Sequence, residues 1–280
     1  MIERARQVLL DNTVRLWEQV DAEARVYRDG TTSAAATLRA AYVLLGAALC
    51  LVTIKYLGNE DDVKRLVWLV DAVGLDGLAK KLLYALRESP DRKINVRVFW
   101  CVSRLVCYGV LPALLVRFVL REKLGSYGWK GATSYRTYLG LFLVVLPFVV
   151  LASYSEAFQA KYPYYRLPPG ASLWPNQVYW ELLYGSQFLA LEFFFRGYLI
   201  HGLKKVFGGA VVFVPVVPYV MIHFSKPLPE TIGSAITGIV LGTLSLRTGS
   251  IRGGFFVHVG IAWSMDALSL WQRGFFGSHR

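Results

Sequence analysis

The chain has 280 residues, of which 55% are hydrophobic and 18% are charged, and its mean hydropathy is +0.40. A soluble domain carries about a quarter charged residues, so this composition excludes a water-soluble globule and a disordered chain and predicts a multi-spanning membrane protein. The net charge of +12 is more typical of basic loops at anionic lipid headgroups than of nucleic-acid binding, which we exclude.

The N-terminal segment, residues 1–36, mixes charged residues with apolar positions at helical spacing and predicts a surface or interfacial helix that ends near Asp29-Gly30. It lacks a compact apolar run followed by a small-residue cleavage site, so we do not interpret it as a signal peptide. Residues 37–177 form the predicted N-terminal transmembrane region. Its apolar runs are long enough to cross a hydrocarbon core of about 30 Å, and they lie near residues 38–57, 96–120 and 137–158.

Residues 62–86, between the first two of these runs, carry a single apolar stripe with basic residues elsewhere. The segment has too many charges for the hydrocarbon core, so we predict an in-plane amphipathic helix rather than a short span. Its stripe consists of Val63, Leu66, Val67, Val70, Leu78, Leu82 and Leu86.

The second half of the chain, residues 178–271, is the predicted functional core, and residues 272–280 form a C-terminal tail. Further spans are predicted near residues 178–203, 208–224, 230–247 and 251–271. Because backbone amides cannot stay unpaired in lipid, all spans should be helices. The sequence therefore predicts an all-α, polytopic transmembrane bundle of about seven to eight spans with interfacial helices. We place the protein in the cell membrane. The basic residues divide almost equally between the two sides of the predicted spans, so they predict no orientation.

The three cysteines do not indicate a disulfide framework or a zinc site. Cys50, Cys101 and Cys107 are odd in number and lie in apolar segments, where they fit as small core residues. The chain contains neither a C-x-x-C pair nor an H-E-x-x-H helix, which are the commonest zinc signatures.

Ionisable side chains inside predicted spans indicate a functional site, because a charge at that depth costs at least about 2.5 kcal/mol. They are Glu181, Glu192, Arg196, His223, His258 and Asp266. Glu192 and Arg196 are four residues apart, so they share a helix face and should form an ion pair. The pair could serve the register of the bundle alone. Combined with two histidines on later spans, however, it predicts a shared polar cavity.

The other polar residues fit that cavity less well. His201 is about half a turn away from Glu192 and should face the opposite side. Glu181 lies about 16 Å before Glu192 along the helix, too far for a paired carboxylate, and is expected at an entrance or a polar surface. Glu230 follows two prolines at a helix start, where it should favour the helix dipole.

The residues of the cavity suit hydrolysis of an amide bond by water. Glu192 could accept the proton of a water that His223 orients, and His258 could donate to the oxyanion or hold the same water. No serine or cysteine lies in an obvious nucleophile context near these histidines, and no cofactor is predicted. A metal held by Glu192, His223 and His258 would also have two histidine ligands and one carboxylate, and this alternative stays open.

Over residues 178–271 the sequence resembles the CPBP family of intramembrane glutamic endopeptidases, which includes the type II CAAX prenyl endopeptidases. That family has Glu-Glu-x-x-x-Arg, aromatic-x-x-x-His and His-x-x-x-Asn motifs on successive helices. Glu192 and Arg196 match the first motif, Tyr219 and His223 the second, and His258 the third. The resemblance implies a membrane endopeptidase that acts on a membrane-associated peptide or protein, with Arg196 and Tyr219 in supporting roles.

Two positions differ from the family pattern. Leu191 stands at the first Glu, to which the family assigns water activation, and Ala262 stands at the Asn. Asp266 does not replace the Asn, because its eight-residue separation from His258 corresponds to about 12 Å along the helix. Either Glu192 has taken over as the base, or the chain is a non-catalytic membrane scaffold or peptide-binding protein. A small transporter is a weaker third reading, because paired, interrupted half-spans are not seen.

Overall fold

The computed structural model describes residues 2–167 and 172–275. Helices joined by short connections account for this part of the chain, and it contains no strand. The predicted all-α class is therefore confirmed. Met1, residues 168–171 and residues 276–280, which make up most of the predicted tail, lie outside the described residues.

The α-helices are numbered in chain order. They are α1 (Ile2–Asp29), α2 (Ser33–Leu57), α3 (Val63–Ala72), α4 (Asp76–Leu83), α5 (Arg92–Val119), α6 (Tyr135–Ser153), α7 (Glu156–Lys161), α8 (Asn176–Glu192), α9 (Gly202–Phe207), α10 (Val216–Met221), α11 (Leu228–Thr248) and α12 (Arg252–Gln272). A π-helical segment, Phe193–His201, joins α8 to α9. Two further π-helical stretches lie within α5, and a third, Tyr84–Glu88, follows α4.

Within the described residues, three helices are long and apolar enough to cross a membrane, namely α2, α5 and α6. They correspond to the three spans predicted in the first half of the chain. Helix α6 ends at Ser153, and α7 follows as a separate short helix, so the third span is shorter than predicted. The total of seven to eight spans stays a prediction.

The prediction of one continuous helical span near residues 208–224 is wrong. The segment consists of a short 3₁₀ helix, Gly208–Phe213, and the six-residue α10. Gly208 has a left-handed φ of +61° and ends α9, while Pro215 and Pro218 lack the backbone N–H that a continuous helix would use. The N–H of Gly209 instead donates to the Asp21 carboxylate on α1, at 2.9 Å.

The predicted in-plane helix over residues 62–86 consists of two helices instead of one. Gly74, with a φ of +80°, ends α3, and the next residue donates its N–H to the carbonyl of Val70 at 3.1 Å. The apolar stripe is partly confirmed, because Val63 and Leu86 are buried together against α5. Leu78 is exposed, since the turn at Gly74 changes the direction of the stripe.

Helix α11 has conventional end signals. It follows Pro227, carries Glu230 in its first turn, and ends at Gly249, whose φ is +64°. Glu230 also pairs with Lys226 at 3.2 Å. The predicted position of Glu230 at a helix start is therefore confirmed.

The chain divides into two compact units. Unit 1 comprises Met1–Ala47, Pro112–Tyr138 and Glu192–Phe255, and unit 2 comprises Ala48–Leu111, Leu139–Leu191 and Phe256–Arg280. The boundaries predicted from the sequence, at residues 36/37, 177/178 and 271/272, stay predictions.

In unit 1, Glu122 fixes the connection that follows α5. Its carboxylate accepts hydrogen bonds from Arg39, at 2.9 and 3.0 Å, from Lys205 at 3.1 Å, and from the Tyr127 hydroxyl. Burial alone would raise the pKa of this carboxyl, but the hydrogen bonds from Arg39 and Tyr127 prevail and lower the pKa of Glu122 to about 2. Glu122 is therefore ionised at neutral pH.

The Glu122 network should stabilise the protein in a pH-dependent way. The folded pKa lies below the unfolded value of about 4.3, so the stabilisation is present above about pH 4.3 and is lost as the pH falls towards 2. We expect Glu122→Gln to lower the melting temperature in detergent by a constant amount between about pH 5 and 7. The gap from wild type should shrink below about pH 4. A gap that stays unchanged at low pH would contradict the assignment.

Candidate active site

The residues of the first motif lie where the α-helix changes its hydrogen-bonding pattern. Glu192 is the last residue of α8, and Arg196 lies within the π-helical segment, all of whose residues are buried. π-Helical turns are rare and occur frequently at functional sites. The wider turn therefore coincides with the predicted site.

Glu192 and Arg196 form the predicted ion pair. Arg196 Nη1 lies 3.0 Å from Glu192 Oε1, and both side chains are 1% exposed. A charged pair with almost no solvent contact is stable only when the two charges compensate each other. The sequence-based prediction that these two residues pair is confirmed.

Gly254 on α12 makes room for the second oxygen of this carboxylate. A Cβ built on Gly254 would overlap Glu192 Oε2 and would also crowd the carboxyl carbon. At this position the absence of a side chain is therefore a packing requirement of Glu192.

The contacts continue from Arg196 to the second motif. The guanidinium carbon of Arg196 lies 4.2 Å from the centre of the Tyr219 ring, a cation–π geometry. The Tyr219 ring in turn contacts the His223 ring edge to face, with centroids 4.7 Å apart. Glu192, Arg196, Tyr219 and His223 thus form an unbroken series of contacts within unit 1.

The backbone fixes the protonation of His223. Its Nδ1 lies 2.7 Å from the carbonyl oxygen of Tyr219, which can only accept, so Nδ1 carries the proton. In the neutral imidazole, Nε2 is then an acceptor. Thr231 Oγ1 donates to the His223 carbonyl at 2.8 Å and holds the end of α10. His223 is half-buried.

His258 belongs to unit 2. Its ring stacks on that of Phe188, with the centroids 5.4 Å apart, and the side chain is half-buried. Leu191 and Ala262, which replace the family's Glu and Asn, are both buried. Four of the five predicted site residues are in contact within unit 1. The fifth, His258, lies in unit 2.

His201 is buried against α11, and its predicted orientation away from Glu192 stays a prediction. Its Nε2 lies 3.2 Å from Ser245 Oγ, which donates to the carbonyl of Arg196 at 3.3 Å. Because the serine proton is used in that bond, His201 Nε2 donates to Ser245. His201 thus helps to hold the backbone beneath the Glu192–Arg196 pair.

Sequence reasoning missed the contribution of Gly253, Gly254 and Tyr138. The Tyr138 ring occupies the space that a Cβ on Gly253 would take, and Tyr138 interacts with Glu192 and Thr248. The available signal was a pair of adjacent glycines one helical turn before His258.

Within residues 2–167 and 172–275, no three His, Cys, Asp or Glu side chains form a group that could hold a metal ion. The metal alternative for Glu192, His223 and His258 gains no support from this geometry.

The family described as type II CAAX prenyl endopeptidase Rce1-like matches residues 173–264, about a third of the chain and the part that contains every motif residue. This part of the chain is similar to that family. The resemblance stated from the motifs is confirmed over these residues, and the three long apolar helices α2, α5 and α6 indicate an integral membrane protein. Neither the curated proteins nor the solved structures give a match.

Gly254→Ala should displace the Glu192 carboxylate. Overpacking of a buried site costs about 1–3 kcal/mol, and we expect a loss of that size in the free energy of unfolding, measured in mixed micelles. Gly233→Ala on α11 is the matched control, because a Cβ there meets no atom within 4 Å. That control should be neutral or stabilising by up to about 1 kcal/mol. Equal effects of the two substitutions would contradict the packing role of Gly254.

Proposed function

We propose that this protein is an intramembrane endopeptidase that hydrolyses a peptide bond in a membrane-associated protein or peptide. The observation that carries the proposal is the series of contacts from Glu192 through Arg196 and Tyr219 to His223. It joins two family motifs and leaves His223 Nε2 as an acceptor. A carboxylate and an imidazole acceptor are the groups needed to activate water.

In the proposed reaction, the oxygen of a water attacks the peptide carbonyl carbon while Glu192 accepts a proton from that water. His223 Nε2 accepts a hydrogen bond from the same water and orients it. His258 donates a hydrogen bond to the oxyanion as the carbonyl π bond opens. Collapse of the tetrahedral intermediate breaks the C–N bond, and the proton held by Glu192 passes to the leaving amine.

Arg196 and Tyr219 have supporting roles in this proposal. Arg196 binds Glu192 Oε1, and Oε2, which lies beside Gly254, is the oxygen proposed to accept the proton of the water. Tyr219 supports the Arg196 guanidinium with its ring and orients His223 with its carbonyl. The proposal requires no metal or other cofactor.

The substrate is proposed to reach the site from the bilayer or its interface, because the site residues lie in strongly apolar segments. A lipid-anchored or transmembrane tail therefore fits better than a soluble peptide, and the cell membrane is the proposed location.

A non-catalytic scaffold or peptide-binding protein is the alternative function. It is favoured by the buried apolar residues Leu191 and Ala262 at two family positions and by the ion pair that already occupies Glu192. In this reading the pair only maintains the register of the helices.

Cleavage of membrane-tethered reporter peptides separates the two functions. We would compare wild type, Glu192→Gln and His258→Ala in liposomes, with Glu230→Gln as a matched control, because Glu230 lies at the start of α11 and pairs with Lys226. The proposal expects wild type and Glu230→Gln to cut, with or without a chelator, and the other two variants to lose activity. Folded wild type that cuts no member of the library would support the scaffold.

A further inference from the structure

The helical hairpin of α3 and α4, in unit 2, carries large apolar side chains that its own core does not use. The core is centred on the buried residues Val63, Leu86 and Val96. Six other apolar residues, which form the hairpin face, have exposed fractions between 37% and 71%. They are Trp68, Leu69, Val73, Leu75, Leu78 and Tyr84. Only Leu78 among them belongs to the apolar stripe predicted from the sequence, so the hairpin face is a separate surface.

Chain connectivity places this hairpin at the ends of two long apolar helices. Helix α2 ends at Leu57, and α3 begins six residues later; α5 begins at Arg92, nine residues after the end of α4. Both α2 and α5 are long and apolar enough to cross a membrane. Because the connections are short, the hairpin stays close to the surface where these helices leave the bilayer.

Exposed lysines share the outward side of both hairpin helices. On α3, Lys64 lies four residues before Trp68, and on α4, Lys81 lies three residues after Leu78. These are the spacings of neighbours on one helix face. Lys80 is also exposed. Each helix therefore presents an apolar residue nearer to the turn and a lysine about one helical turn farther from it.

The positive charge of these three lysines is not neutralised within the described residues. Nearby arginines are paired, because Arg65 lies 3.0 Å from Asp62, and Arg92 pairs with Glu60. No described residue forms an ion pair with any of the three lysines. Residues 63–88 contain five basic and three acidic residues. The hairpin face is therefore bordered by positive charge that suits an anionic surface.

We propose that the hairpin face binds the surface of a bilayer that contains anionic phospholipids. Trp68 is of a residue type enriched at membrane interfaces, and Leu75, at the turn, enters the boundary between headgroups and acyl chains. The lysines extend their ammonium groups to lipid phosphates. The exposed carboxylates of Asp71 and Asp76 flank the turn, so the face stays at headgroup depth, where charged groups remain hydrated.

This surface does not depend on the proposed function, because none of its residues belongs to the motifs of the proposed active site. Its role is to hold the connection between α2 and α5 against the bilayer. A bilayer without anionic lipid still accepts the apolar side chains but leaves the lysines without phosphate partners of net negative headgroups. The proposal therefore predicts both contact with lipid and a preference for one lipid class.

A fluorescent label at residue 75 measures the contact and the preference together. Leu75→Cys is labelled with a nitrobenzoxadiazole dye, and the three native cysteines, which are buried, stay unlabelled. The protein is reconstituted in vesicles of equal phosphatidylcholine and phosphatidylglycerol, with bromine on one lipid or on the other. We expect both lipids to quench the dye, and phosphatidylglycerol to be enriched around it about fivefold or more, the effect of about one lysine at an anionic surface.

Variants of the labelled protein separate the charge from its position. The triple variant Lys64→Gln, Lys80→Gln, Lys81→Gln should remove the enrichment of phosphatidylglycerol and keep the quenching by phosphatidylcholine. The matched control loses three positive charges outside the hairpin and should keep the enrichment; it replaces by Gln the exposed residues Lys123, Lys130 and Arg136. Trp68→Gln should lower the quenching by both lipids without a change in melting temperature, because Trp68 is 65% exposed.

Three results would overturn the proposal. The first is a dye that lipid quenches no more than a dye at the exposed position of Asp61→Cys, which would leave the face to a protein partner. The second is equal quenching by the two lipids. The third is quenching that falls as the protein-to-lipid ratio rises, which would assign the face to a second copy of the chain. The same dye at Val73→Cys, also an exposed position, gives the measurement if Leu75→Cys does not fold.

Discussion

Arg196→Met is expected to lower the free energy of unfolding by about 3–5 kcal/mol, the cost of leaving one partner of a buried ion pair without the other. The physical reason is that the Glu192 carboxyl, 1% exposed, would lose the guanidinium that compensates its charge. The loss of the cation–π contact with Tyr219 adds to the effect. The measurement is unfolding in mixed micelles, monitored by helical circular dichroism.

Two further variants test the cause of this loss. Glu192→Gln combined with Arg196→Met removes both charges, so the double variant should be more stable than Arg196→Met alone. Arg92→Met is the matched control, because Arg92 and Glu60 form a pair in which both side chains are about two-fifths exposed. That control should cost less than about 1 kcal/mol. Additive losses in the double variant would show that Arg196 acts through packing and not through its charge.

The second large effect is expected at His223, where Asn and Gln substitutions separate the two ring nitrogens. His223→Asn places an amide N–H near Nδ1 and keeps the bond to the Tyr219 carbonyl, but it has no group at Nε2. If Nε2 orients and accepts from the water, His223→Asn should lower the rate of reporter cleavage by about 10²- to 10⁴-fold with little change in stability. His223→Gln, which offers an amide group near Nε2, should retain more activity than Asn.

The His223 prediction has a clear counter-outcome. If both variants cleave at the wild-type rate while the protein stays folded, Nε2 takes no part in catalysis. If His223→Asn is active and His223→Gln is not, the hydrogen bond from Nδ1 to the Tyr219 carbonyl is the essential contribution of His223. The melting temperature of each variant is the control for misfolding.

Local spacing predicted much of the fold and part of the candidate site. Long apolar runs predicted the three helices α2, α5 and α6, because a span needs about 20 apolar residues in sequence. The four-residue spacing of Glu192 and Arg196 predicted their ion pair for a similar reason, since it depends on one helix alone.

Features that depend on the backbone or on contacts between helices were not predicted. The 208–224 segment is apolar enough for a span, but Gly208 and the two prolines that follow it interrupt the helix. The contact between Glu181 and Asp266 joins residues 85 positions apart, and no spacing rule relates them. The space that Gly254 leaves for Glu192 is invisible in a sequence, because it is defined by an atom that is missing.

The dual use of Tyr219 has a consequence for the interval between the tyrosine and the histidine. Tyr219 supplies both the ring that contacts the Arg196 guanidinium and the carbonyl that orients the His223 imidazole. The imidazole reaches this carbonyl because His223 lies one helical turn after Tyr219. Inserting or deleting a residue between them would rotate the imidazole by about 100° and separate it from that carbonyl. Length variation is therefore excluded at this point of the chain, even where the intervening side chains are free to change.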